Sequence, residues 1–506
     1  MLRVTRPFSE VALHLGVVVA LLAILGLAFR RSGGRKYAPG PAGLPLIGNI
    51  LQIDTVDPRK TFASWHRQYG PVLRLKIGWS DFIILGTIPT TKDLFGTRGA
   101  KYSSRPDMTM ARENMMKNMQ TSTLPYGQKW KLHNRIQLSL LNTRMLNKYQ
   151  ALVQVEAQRT LIRLLTADDL IPCFNRLQFN VLYSLAYAKD PEKHDADFRE
   201  ILELQDIFTQ TMTNSTWIVN LFPFLNVLPT FVAPWKRYGD RFHARTQKWF
   251  AKNTKYAMEE TDRWSWTNHV MTDDIRGDLT PIEIQNLIGV LFEAGVDSNA
   301  TVLHYFVVAY FLYPEAVARA RRELDATVGS SRSPKRDDLA TMPYMHGFVK
   351  EVLRWRPITQ GLPHSTTEDD TYMGYKIRKG STILFNHVDA HRDEDVYPDP
   401  GAFRPERFIK NPNLPLGAFG FGRRSCPGRH FAMMVLETMI PNLLWAYDFE
   451  TTADLEPLKD AYTGANVSGA LLRPPKFSIT WKIRDQERKT VLIEEFERIK
   501  DSSVRI

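Results

Sequence analysis

The chain has 506 residues, 24% of them charged and 43% hydrophobic, with a formal net charge of +12 and only two cysteines. Such a length exceeds the roughly 250–300 residues of one simple core, so two lobes are expected in an otherwise ordinary globular composition. Two cysteines exclude a zinc finger, a Cys₄ cluster and a disulfide framework, and no nucleic-acid motif accompanies the positive charge.

Arg3, Arg6, Arg30, Arg31, Arg35 and Lys36 against Glu10 give residues 1–36 a net charge of +5. The remaining mild excess suits a membrane surface or an acidic protein partner. Val11 to Phe29 is apolar apart from His14. Its 19 residues span roughly 28 Å as a helix, close to a bilayer's hydrocarbon core. Basic residues follow at once, rather than a small-residue cleavage site, so residues 1–36 read as a signal anchor and not a cleaved signal peptide. The heavier basic flank predicts a single-pass protein whose main body faces the cytosol.

Tyr37 to Asn49 holds three prolines and three glycines and predicts a stiff connector. Val72–Ile77 and Phe82–Leu85 predict strands of a small sheet lobe. Residues 100–124 are polar and methionine-rich; methionines at helical spacing are more often core than contact surface. A helix carrying Trp130, Asn134 and Arg135 follows, running to about Leu141. From Met145 to about Lys255 helices are expected, with a break at Phe222–Pro229. Two glycosylation triplets, at Asn214 and Asn466, stay unmodified if the domain is cytosolic.

Thr280-Pro281-Ile-Glu283 is a helix start with a capping box, and the apolar run continues to Tyr313, about 33 residues or roughly 50 Å. Glu293, Asp297 and Asn299 at its centre argue against a second membrane span, since each acid there would cost about 2.5–3.5 kcal/mol. A long buried helix with a polar notch, Ala294-Gly295-Val-Asp297-Ser298, is the better account. Tyr344–Trp355 predicts a helix with Glu351 and Arg354 on one face, ended by Pro357. Gly361-Leu-Pro-His364 and Phe403-Arg-Pro-Glu-Arg407-Phe follow. A closing strand is expected within Pro474–Trp481, then a charged tail that reads as a helix without an assignable role.

Phe419-Gly-Phe-Gly-Arg-Arg-Ser-Cys426-Pro-Gly428 is where the chemistry is placed. Gly420 and Gly422 allow a tight turn. The N–H groups of that turn and of the apolar helix after it, with Arg423 and Arg424, favour a thiolate. One thiolate so placed is a nucleophile or a metal ligand. Cys173, with no glycine turn or cation beside it, reads as core packing.

The spacing Phe419-x-x-Gly422-x-Arg424-x-Cys426-x-Gly428 resembles the haem-binding loop of the cytochrome P-450 family. The resemblance runs from about residue 37 to 482 and follows the family's order of motifs. It implies a mainly α fold with a smaller β lobe, behind a single transmembrane helix. The domains would be an anchor over 1–36, a proline-rich hinge over 37–49, a catalytic domain over 50–482 and a tail over 483–506. It further implies haem b with Cys426 as axial iron ligand; Phe419, Gly428 and Gly295 would adjoin the haem. Trp130, His364 and Arg424 would hold its propionates. The usual arginine of the Trp-x-x-x-Arg element is Asn134 here; the nearest cations are Arg135, one step beyond, and Lys131, one turn before, and which of them, if either, replaces it is open. Asp297 and Ser298, with Thr301 one turn on, take the place of the family's acid–alcohol pair. Glu351, Arg354 and Arg407 would form a buried ion cluster, and Ile358–Leu362 would face substrate, as would part of residues 100–124. The implied activity is a haem-thiolate monooxygenase acting on a hydrophobic small molecule, as in the fungal branch that tailors secondary metabolites. Its electrons would come from a separate NADPH-dependent flavoprotein reductase, at the endoplasmic reticulum membrane. The alternatives are a reductase-independent haem-thiolate isomerase or dehydratase, and a non-catalytic lipid-binding haem protein.

Overall fold

The computed structural model describes residues 37–54, 57–78, 80–212 and 217–499. The expected span over 11–29 and the Asn214 triplet lie outside them. Among the described residues no single helix is long and apolar enough to cross a membrane.

Most of the chain is helical, around one large apolar core, with a small sheet at one side. After helix α1 (Pro58–Tyr69), strands β1 (Val72–Ile77) and β2 (Ser80–Leu85) form the expected hairpin, with Val72 opposite Leu85 and Ile77 opposite Ser80. The segment 37–49 is not a free linker. The Arg74 N–H donates to Pro39 O at 2.9 Å, and Tyr37 lies under the Arg74 guanidinium, 4.3 Å from ring centre to Cζ.

Helix α2 (Gln128–Leu140) carries Trp130, and α3 (Thr143–Arg163), α4 (Leu170–Tyr187), α5 (Asp195–Thr211) and α6 (Pro234–Glu259) follow. Short turns at Ile218–Leu221 and Pro223–Val227 make the expected break. Cys173 is buried on α4 within the core. The 33-residue run does not form one continuous helix. It divides into α7 (Pro281–Val296) and α8 (Ser298–Leu312), with Asp297 at φ −108° and ψ −23° between them. The capping box is present: Glu283 Oε2 accepts from the Thr280 N–H at 2.9 Å and hydroxyl at 2.8 Å. Both helices are almost entirely buried, as a notch among packed side chains requires.

Helix α9 (Pro343–Trp355) holds Glu351 and Arg354. Strand β3 (His364–Ser365) pairs antiparallel with β4 (Thr382–Phe385), which runs parallel to β2, giving a sheet ordered β1-β2-β4-β3. The buried Glu351 carboxylate takes two hydrogen bonds from Arg354, both 2.8 Å, and one from Arg407 at 3.2 Å. The spare donors of both arginines go to main-chain carbonyls of Pro398, Asp399, Pro400 and Ala402. A single acid thus ties α9 to the segment leading into the cysteine loop. Helix α10 (Arg429–Ala446) leaves that loop and leads into β5 (Tyr447–Glu450). A second hairpin follows, β6 (Asn466–Ser468) and β7 (Leu471–Arg473). The closing strand β8 (Thr480–Ile483) starts later than the expected Pro474 and ends two residues past Trp481; Pro474 and Pro475 cannot donate to a ladder. It pairs with β5. The tail is a helix, α11 (Gln486–Ile499), held by Arg484 and Arg488 against Asp325.

Candidate functional site

The cysteine loop folds back on itself. The Cys426 N–H donates to Phe419 O at 2.8 Å, and the Ser425 N–H to Gly422 O at 3.2 Å. Gly422 sits at φ +66°, and a Cβ there would stand 1.7 Å from Phe95 O. Only glycine permits that approach, which seats the loop against the turn that follows β2. Cys426 lies three residues before α10 and receives a hydrogen bond from the Gly428 N–H.

Burial pushes the Cys426 thiol up, against the pull of Gly428 N–H and of the Arg429 charge. The expectation that the turn and its two arginines would by themselves favour the thiolate is therefore corrected. Arg423 donates to the Tyr126 hydroxyl, and Arg424 turns to other partners. A sulfur so placed ionises when a cation is bonded to it.

Cys426 lines a cavity of about 440 Å³, within the range of cofactor and ligand sites. One part of its wall is cationic. Arg424 lies 4.2 Å from the Trp130 ring centre and donates to Ser103 O at 2.8 Å and Leu124 O at 2.7 Å. Burial first, then the Arg105 charge, holds its guanidinium down at about 8. Arg105 donates to Ser122 O at 2.8 Å, Leu362 O at 3.0 Å and Pro363 O at 2.7 Å, and burial holds it at about 10. The partners of both arginines are carbonyls, not carboxylates. His364 stacks on Phe95 with ring centres 3.8 Å apart, and its Nδ1 donates to Tyr102 O at 2.7 Å. Burial and the neighbouring arginines keep it neutral.

Arg135 is not part of this wall. It is exposed on α2, while Trp130 and Asn134, four residues apart, share the inward face. The buried guanidinium is Arg105, which the sequence reading passed over. Its polar setting, Ser103-Ser104-Arg105-Pro106, carries no periodicity that would mark it. In the rest of the 100–124 region, Met108, Met110, Met115 and Met116 are buried core, whereas Thr121 and Ser122 reach the cavity.

Another part of the wall is the notch. Ala294, Gly295 and Ser298 line the cavity, as do Ile358, Thr359 and Leu362. A Cβ on Gly295 would meet Leu182 Cδ1 at 2.6 Å, so glycine lets α7 pack closely on α4. Asp297 and Thr301 do not line it. The Asp297 carboxylate accepts from Arg473, and the Thr301 hydroxyl donates to Asp297 O at 3.0 Å. Phe419 and Gly428 reach the cavity beside the sulfur.

The donor set fits a metal held in an anionic organic chelate. Two buried guanidiniums without carboxylates call for negative charge, and a thiol facing the same cavity can serve as a metal ligand. Among the described residues no cluster of three His, Cys, Asp or Glu side chains could hold a metal ion. A metal held by this thiol would therefore draw its other ligands from a group that the protein does not supply. A cavity lined by a thiol and two buried cations, beside a notched helix, suits a haem-thiolate protein.

The family model for cytochrome P450 matches residues 38–481, and the chain belongs to the cytochrome P450 family. It is 53% identical over 465 residues to the cytochrome P450 monooxygenase astF of Aspergillus oryzae, covering 92% of this chain and 89% of that protein. It is 38% identical to the monooxygenase drtD of Aspergillus calidoustus, over 90% of this chain and 88% of that one. The monooxygenase aneD of Aspergillus aculeatus is also 38% identical, over 86% of this chain and 85% of its own length. The protein is accordingly an oxidoreductase of the haem monooxygenase type.

Proposed function

We propose that this chain inserts one oxygen atom from O₂ into an apolar small molecule of fungal secondary metabolism, by hydroxylation or epoxidation. Electrons would come from NADPH through a separate flavoprotein reductase. The observation that carries the reading is Cys426 in the same cavity as two buried arginines that lack acid partners. Haem b would be held by the Cys426 sulfur, with Arg105, Arg424 and the Trp130 indole at its carboxylates. When bound, the haem iron supplies the oxygen-activating chemistry.

The protein's own part is binding, orientation and proton handling. Arg105 and Arg424 neutralise carboxylates in a dry site where a charge-assisted hydrogen bond is strong. His364 as it stands presents an unprotonated Nε2. A carboxylate beside it would favour the protonated ring, so its contact forms together with the charge it neutralises. Ser298 offers a hydroxyl at the cavity wall, and Asp297, next to it in sequence, is the acid that supplies it. Ile358, Leu362, Val290, Leu291 and Leu471 give the substrate an apolar surface. Glu351, Arg354 and Arg407 hold the segment behind the cysteine loop and take no part in the chemistry.

Exposed apolar side chains support a membrane partner. They stand on the 37–54 segment (Leu46 56%, Leu51 74%) and between α5 and α6 (Val227 80%, Phe231 77%). An anchor in residues 1–36 would place the domain on the endoplasmic reticulum with its body in the cytosol.

The test is expression in microsomes with a reductase, followed by mass-spectrometric screening of apolar metabolites for added oxygen. A reduced, CO-treated sample should show the thiolate-ligated Soret band. Turnover that continues without NADPH and reductase would favour the isomerase reading instead.

A further inference from the structure

The hairpin β6–β7 touches three parts of the molecule at once. At its turn, Gly469 has φ +60°, and a Cβ there would lie 2.1 Å from Thr209 O at the end of α5. The Ala470 N–H donates to that same carbonyl at 3.2 Å. On the other side the Leu472 N–H donates to Ile358 O at 2.8 Å, and Ala470 O accepts from the Thr359 hydroxyl at 3.1 Å. Leu471, Ile358 and Thr359 all line the cavity.

Arg473 closes this hairpin. Its Nη2 donates to Asp297 Oδ2 at the break between α7 and α8, and its Nη1 donates to Ser468 Oγ at 3.0 Å. The same Nη1 stands 3.4 Å from Asp206 Oδ1 on α5. One guanidinium is therefore shared between an acid over the cavity and an acid on a surface helix. The Asp206 side chain is 44% exposed, that of Asp297 only 12%.

We infer that Arg473 is a positioning residue: it holds the Asp297 carboxylate outside the cavity, and its exchange toward Asp206 releases that carboxylate to serve Ser298. The inference rests on the monooxygenase reading. Asp297 is off the cavity wall, although Gly295 and Ser298, two residues before it and one after, are on it. It also sits where regular helix is interrupted, at φ −108° and ψ −23°, and its side chain can change rotamer while the backbone stays in place. Asp206 already lies within ion-pair distance, so the guanidinium never has to stand unpaired during the exchange. Substrate pressing on Leu471 or Ile358 acts on the hairpin that carries Arg473, and a shift of α5 acts on Thr209 and Asp206. Nearby in the same run, the buried Glu293 lies one turn earlier, Gly295 packs on Leu182 of α4, and Asn299 donates to Gln178 of α4 at 3.4 Å.

The test uses the holoenzyme with its reductase and NADPH, without added substrate. Under those conditions O₂ is reduced either by two electrons and two protons to peroxide or by four of each to two waters. Peroxide formed per NADPH then reads proton delivery. R473Q should lower that ratio at least two-fold, whereas D297N and D206N should raise it, the latter because Arg473 loses its second acceptor. R473K should restore the wild-type ratio. The double variant R473Q/D297N should match D297N, and the solvent isotope effect on NADPH oxidation should follow the same pattern. Midpoints of thermal unfolding for the wild type, R473Q, D297N and R473Q/D297N should be non-additive, which reads the ion pair without turnover. Additive effects, or an R473Q protein that behaves like D297N, would overturn the role of Arg473. Absence of the thiolate Soret band in the wild type would instead overturn the underlying reading, and D206N keeps the test open if R473Q does not fold.

Discussion

The cysteine side of the cavity and the notch side are built in opposite ways. Around Cys426 the polar groups are fixed: the loop hydrogen-bonds to itself, Gly422 is pressed onto Phe95, and Arg105 and Arg424 are held by main-chain carbonyls. At the notch the polar groups are engaged elsewhere, Asp297 with Arg473 and the Thr301 hydroxyl with a backbone carbonyl. A cofactor must be held in one place, so carbonyls on rigid backbone suit it. A proton donor must come and go, so an exchangeable ion pair suits it.

Breaking the fixed side should give the largest effects. Cys426→Ala should abolish both the thiolate Soret band and all turnover, as read by the reduced-CO spectrum and product analysis. Activity that survived loss of that band would refute the mechanism. Glu351→Gln should come next, because it leaves Arg354 and Arg407 buried without a countercharge. Removing one partner of a buried pair costs roughly 3–5 kcal/mol, so the thermal midpoint should fall sharply with loss of haem. Arg105→Gln should lower haem content at equal expression, while Arg135→Gln should leave it unchanged; equal effects would deny Arg105 its place.

On the adjustable side the effects should be smaller. Asp297→Asn should slow product formation by about ten-fold or more, within the usual contribution of a positioned acid, and raise peroxide release per NADPH. Thr301→Val should change least, since its hydroxyl is spent on the backbone. A Thr301→Val protein as uncoupled as Ser298→Ala would erase the distinction between the two hydroxyls.

Legibility in the sequence followed the same division. The cysteine loop, the Glu351–Arg354 turn and the capping box at Thr280 are short-range features, with their physical reasons contained in a few neighbouring residues. Arg105 was not legible, because its carbonyl partners at Leu362 and Pro363 come from more than 250 positions away. Arg135 misled for a simple geometric reason: one residue past Asn134 on a helix is a rotation of about 100°, enough to turn a side chain from cavity to solvent. The interruption at Asp297 was hidden by the unbroken apolar pattern on both sides of it. The hinge resembled a linker in composition and the tail a helix without a role, yet both pack against the domain through contacts distant in sequence, Tyr37 with Arg74 and Arg488 with Asp325.

The seating of Gly422 on Phe95 has a mechanical consequence. A side chain at 422 would collide with the Phe95 carbonyl, so the loop bearing the sulfur lies in direct backbone contact with the helical segment Lys92–Thr97. The placement of the sulfur then depends on how that segment packs against the small sheet. Conservative changes among Leu94, Phe95 and Tyr397, which share one buried cluster, would therefore be felt at Cys426 through packing alone.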